Sequence, residues 1–170
     1  MNDLVFLDTE TTGLNPDIHE VWEIAWAVND DAPVQAMIVP HSLATADLEA
    51  LRINHYWDRA RAEPAHTSID LDIRHLLEGN TLVCANPTFD RMFLRKRWGV
   101  EPYRYRSIDI ESIALAVFGW DRPKGLKDIA DELNSRGYNI GEPNHSAWID
   151  VVVLREAYKA LRKEIVKRDV

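Results

Sequence analysis

The chain has 170 residues, 46% of them apolar, which is the size of one domain and enough for a full core without staples. Its 20 Lys and Arg against 28 Asp and Glu leave a net charge of −8, which argues against a general electrostatic nucleic-acid binder but not against one that uses metal ions and a local basic strip. Cys84, the single cysteine, rules out an intrachain disulfide and a Cys-rich zinc site. With no basic leader and no apolar run near the roughly 18 residues of a membrane span, the expected setting is the reducing cytoplasm.

In chain order, β-branched and aromatic runs separated by polar punctuation predict strands at 4–9, 21–29 and 34–39, joined as an antiparallel meander. Helices are expected at 46–53 and 69–78, the second capped by Ser68 and ended by Gly79 in left-handed geometry. The apolar run TLVCA reads as a buried fourth strand. Asn86 then caps a helix with Pro87 at its first position, and that helix runs to Trp98 and stops at Gly99. A short strand turning into a helix follows in SIDIESIALAVFG, and a helix in GLKDIADELNSRG. The last helix spans about 146–167, with Trp148, Val151, Val152, Leu154, Tyr158, Leu161 and Ile165 as its apolar stripe. A meander followed by alternating strands and helices is an α/β pattern with a mixed sheet covered by helices.

Three segments carry chemistry. In FLDTETTGL, both faces of the preceding LVFL are apolar, which marks a central strand, yet Asp8 and Glu10 follow on one face with roots about 6–7 Å apart. Two such charges repel and are costly to desolvate unless water or a cation lies between them; a solvated strand end is the plainer alternative. In ANPTFDRMFL, Phe89 and Phe93 face the core while Asp90 sits one residue round at the rim, near the carboxyl end of a strand where α/β sheets bind ligands. Simple complementation of the helix dipole would also explain that acid. In PNHSAWID, His145 and Asp150 are five apart, about 140° past a full turn, so they converge only if His145 lies in the loop ahead of the helix. A lone loop histidine is otherwise a surface residue.

Together these segments resemble the DEDD superfamily of 3′–5′ exonucleases, in the subgroup with histidine in its third motif, which includes proofreading subunits, oligoribonuclease and RNase T type enzymes. The first motif, D-x-E-T-T-G-L, is complete at Asp8 to Leu14; the second is met by Asn86, Phe89, Asp90, Phe93 and Leu94; the third by His145, Ala147 and Asp150. Asp109 and the GLKDIADEL helix look like the family's connecting region, so the resemblance covers nearly the whole chain. Pro87 and Asn144 depart from many relatives without removing a functional group.

The resemblance implies an RNase H-like fold with a five-stranded mixed sheet, the fifth strand falling around 106–109, in a single exonuclease domain over 1–170. It implies hydrolysis of phosphodiester bonds from the 3′ end of nucleic acid, releasing nucleoside 5′-monophosphates, with DNA favoured and RNA the alternative. Four acids (Asp8, Glu10, Asp90, Asp150) would be neutralised by two divalent ions, and oxygen-only ligands suit Mg²⁺ or Mn²⁺. Asp90 is expected to act mainly through water or from behind the direct ligands. His145 is the expected general base, since an imidazole can exchange a proton near working pH. Thr11, Thr12, Gly13 and Leu14 form the expected stop for the chain end, with Asn54 and Asn86 as further substrate contacts; Leu14 could equally be core. Arg91, Arg95, Lys96 and Arg97 could track phosphates or form a solvated face. Expected partners are single-stranded 3′ ends, with a polymerase or a second copy of the chain as further candidates and no membrane. A noncatalytic end-binding or polymerase-binding module, and a metal-independent carboxylate-pair sugar hydrolase, are the competing readings.

Overall fold

A computed structural model describes residues 2–30, 32, 34–39, 41–60 and 69–168. Five strands form one sheet in the order β3-β2-β1-β4-β5: β1 Leu4–Thr11, β2 Val21–Val28, β3 Gln35–Ile38, β4 Thr81–Cys84 and β5 Ile108–Asp109. The first three pair antiparallel, while β4 and β5 run parallel to β1, so the sheet is mixed and has helices on both sides. These are α1 Leu48–Ile53, α2 Tyr56–Arg59, α3 Ile69–Leu77, α4 Pro87–Trp98, α5 Ile110–Phe118, α6 Leu126–Ser135 and α7 Ala147–Arg168.

Alternation along β1 divides the core. Phe6 points to the side of α5, α6 and α7, where Ile110, Ile129, Leu133, Val151 and Leu154 bury it. Val5 and Leu7 point the other way, against Ile73 and Leu77 of α3 and Phe93 and Leu94 of α4. The same parity carries Asp8 and Glu10 toward α7, and Thr9 toward α4. A third cluster, Trp22, Ile38, Leu51 and Tyr56, packs α1 and α2 onto the β2–β3 end of the sheet.

Several expectations change. β1 continues to Thr11 rather than ending at 9, because β2 pairs with it throughout, through Glu10 opposite Glu23 and, after a register shift, Thr11 opposite Val21. On its other side, β4 pairs only with Leu4, Val5 and Phe6. Beyond Phe6 the two parallel strands part, so Asp8 and Glu10 have no partner residue on β4. Asn86 precedes α4 without any side-chain capping bond, although Pro87 opens the helix and Gly99 closes it at φ +70°. The predicted Ser68 cap lies outside the described residues. α1 starts at Leu48 rather than at 46, because Asp47 caps it, accepting from the Glu49 N–H at 2.8 Å. The single turn of α2 is absent from the sequence expectations. Trp148 and Ile165, expected in the α7 stripe, are 44% and 42% exposed. At about 1.5 Å per residue, this helix outruns the strands it covers, so its ends lie beyond them. Among the described residues, no helix is long and apolar enough to cross a membrane.

Candidate active site

The site lies where β1 and β4 diverge. Asp8 and Glu10 project from β1 to the α7 side, and α7 brings Asp150 to meet them from its first turn. Among the described residues, Asp8, Glu10 and Asp150 place ligand oxygens within 4.8 Å of one another. Asp90 approaches from the opposite face on α4. It borders the same cleft as the other acids yet is only 4% exposed, because the Thr9 hydroxyl donates to its Oδ1 at 2.9 Å and the Cys84 thiol donates to it as well. His145 occupies the loop before α7, exposed, with backbone φ +59°. Asp150 steadies that loop by accepting from the Asn144 N–H at 3.0 Å and from the His145 N–H.

The electrostatics of this group are those of acids crowded in a poorly solvated place. Burial, then repulsion by Asp90, Glu10, Asp150 and Glu23, pushes the Asp8 carboxyl well above the usual range. Glu10 is also pushed well up, by burial and then by Asp150 and Glu23, against the opposing pull of Arg59 and the Asn54 amide. Burial raises Asp150 and takes Asp90 up to about 6, although hydrogen bonds to both oppose the rise. A cation among them would favour their ionised forms. Converging oxygens, with neither thiolate nor buried imidazole among them, fit a hard divalent ion. Asp8, Glu10 and Asp150 are the residues able to hold one, with Asp90 set apart from that group.

A cleft of about 430 Å³ opens over these acids. Thr11, Leu14, Asn54, Asn86, Phe89 and His145 line it. Thr12 and Gly13, expected among the substrate contacts, do not. Thr12 is fully buried and accepts from the Glu20 N–H at 2.9 Å, and Gly13 packs so closely on His19 that an added Cβ would lie 2.3 Å from the ring. These two residues shape the turn. Leu14 is 76% exposed and so is not core. Asn54 is buried and donates to the Thr11 carbonyl at 2.9 Å, bracing the strand end from α1. The basic residues of α4 are largely engaged: Arg91 pairs with Glu101 at 3.0 Å and Lys96 donates to the Asp17 carbonyl at 2.8 Å.

Sequence reasoning misses Thr9, Cys84, Glu23 and Arg59 around these acids. Thr9 and Cys84 grip Asp90, and nothing in their local sequence marks them. Glu23 could have been noticed, as the only charge in the apolar β2 stretch VWEIAWAV.

No family model matches the chain. The oligoribonuclease of Vibrio cholerae is 32% identical over 148 residues, covering 75% of this chain and 81% of that protein. The oligoribonuclease of Chromobacterium violaceum is 26% identical over 187 residues, covering 98% and 97%. Among solved structures, Exonuclease X in complex with 5′ overhanging duplex DNA superposes with a TM-score of 0.68 at 18% identity, covering 94% of this chain and 91% of that one. Brucella melitensis NrnC with bound Mg²⁺ superposes at 0.63 and 18% identity, covering 99% and 76%. The RNase H-like sheet and these likenesses define a 3′–5′ exonuclease of the DEDD superfamily, a hydrolase that acts on nucleic acid. Within that superfamily, the chain belongs to the oligoribonuclease family.

Proposed function

We propose that residues 1–170 act as one exonuclease unit that removes nucleoside 5′-monophosphates from the 3′ end of short single-stranded nucleic acid, RNA in preference to DNA. The observation that carries the reading is the meeting of Asp8, Glu10 and Asp150 within 4.8 Å, in a cleft that His145 borders. The preference for RNA departs from the sequence expectation of DNA and rests on the name shared by the curated relatives.

Two divalent ions, Mg²⁺ or Mn²⁺, would be held by Asp8, Glu10 and Asp150 with Asp90 behind them, and would supply acidification of a water and stabilisation of charge on the phosphate. His145 takes the proton from the attacking water, and its exposed loop lets the ring move aside for substrate and product. The water oxygen bonds to phosphorus as the bond to the 3′ oxygen of the preceding nucleotide breaks, and that oxygen takes a proton from solvent, which leaves a chain one nucleotide shorter and a nucleoside 5′-monophosphate. Thr11, braced by Asn54, sets where the terminal sugar stops, and the exposed Leu14 side chain lies against the last base. Asn86 is exposed at the start of α4 and meets the same nucleotide from the other wall.

The test is a digestion of 5′-labelled single-stranded RNA, single-stranded DNA and duplex DNA with Mg²⁺ or Mn²⁺. The expected products are ladders that shorten from the 3′ end, fastest for RNA, and no cleavage in EDTA. Internal cuts, or undiminished cleavage in EDTA, would defeat the reading.

A further inference from the structure

Glu23 stands directly across the sheet from Glu10 and is only 5% exposed, on the side of β2 that faces α7. A third acid beside Glu10 and Asp150 worsens their repulsion, and it raises both Asp8 and Glu10. Its compensation is Arg59, the last residue of α2, whose guanidinium bonds both Glu23 oxygens. Arg59 also lies over the Trp22 ring, 5.0 Å from its centroid.

The guanidinium does more than neutralise. Its Nη1 donates to the His145 carbonyl at 2.9 Å and to the Asn54 carbonyl at 3.1 Å, while Glu23 accepts from the Ala147 N–H at 3.1 Å. His145 is therefore gripped through its backbone at both ends, the N–H by Asp150 and the carbonyl by Arg59. A non-glycine residue at positive φ is sparsely populated and persists where its surroundings over-determine it. With the imidazole itself exposed, its location follows from that backbone. A buried ion pair in general adds little stability, and what this one supplies is geometry.

We infer that Arg59, fixed by Glu23, is a positioning residue that holds the His145 loop and the start of α7 against the sheet, so that the imidazole reaches the attacking water. The inference rests on His145 acting as the base. Lysine at 59 keeps the charge but loses the planar fork that spans the carboxylate and two carbonyls. Arg59→Lys should therefore lower kcat on a 5′-labelled single-stranded oligonucleotide roughly 10- to 100-fold, a larger change than in KM or Mn²⁺ affinity. Glu23→Gln, which still accepts from Ala147, should lose less. Arg59→Ala leaves a buried carboxylate unpaired; if it does not fold, by circular dichroism, Arg59→Lys carries the comparison.

The deciding measurement repeats Arg59→Lys in a His145→Ala background. There its effect on kcat should shrink to about twofold or less, because coupled residues are not additive. An equal loss in both backgrounds, or full kcat in Arg59→Lys alone, overturns the positioning role while leaving the His145 reading intact. Full turnover in His145→Ala alone overturns that reading, and the positioning role with it.

Discussion

His145 and Asp8 line one cleft, yet they should fail in different ways. His145 lies on an exposed loop outside the group of converging oxygens, so His145→Ala should keep Mn²⁺ binding by calorimetry and lose turnover about 100-fold or more. Asp8 belongs to that group, so Asp8→Ala should lose both activity and tight Mn²⁺ binding. The motif residues were legible because their spacing places them on one strand face, one helix start and one loop. Arg59 was not: it lies in a polar stretch, and its partners Glu23 and His145 are 36 and 86 residues away. Glu23 was half legible, a lone charge in an apolar strand with its purpose hidden.

At the scale of elements, the turn after β1 and the start of α5 each set a local preference against a tertiary one. Gly13 has φ +159° and a Cβ there would press on the His19 ring, whose Nδ1 accepts from the Asn15 N–H at 2.9 Å. Gly13→Ala should therefore cost about 1–3 kcal/mol, read by denaturant unfolding, and slow the enzyme through the adjacent Thr11 and Leu14. In the first turn of α5, an acid such as Glu111 would ordinarily complement the helix dipole. Burial, and then repulsion by the capping Asp109, instead lift its carboxyl to about 7. The folded value lies above the unfolded one, so the folded state binds the extra proton. Stability attached to that proton is present below about pH 4.5 and is lost as pH rises through about 7. Glu111→Gln should thus match the wild type near pH 4 and exceed it by about 1–2 kcal/mol above pH 7, after allowance for solvent screening, in melts across that range.

For the whole molecule, four raised acids between α4, β1 and α7 make the cation-free protein a compromise between burial and charge. A divalent ion that binds only the folded state stabilises it by mass action. Mn²⁺ at about 100 times its Kd should add about 2.7 kcal/mol, seen as a higher melting temperature, and EDTA should reverse the gain. Asp8→Ala should melt at the same temperature with and without Mn²⁺.

The amino-acid sequence by itself determined the α/β class, the strands and most helices, and the order in which the acids and the histidine appear. Apolar periodicity, glycine stops and proline starts act over a few residues and need no partner. Tertiary structure alone decided how far β1 extends, where β4 leaves it, that Asp90 turns inward under Thr9 and Cys84, and that Thr12 and Gly13 build the turn rather than the cleft. It also brought Arg59 to Glu23 and His145. Strand pairing and the compensation of buried charge depend on groups far apart in the chain, and their partners are chosen only when the core closes.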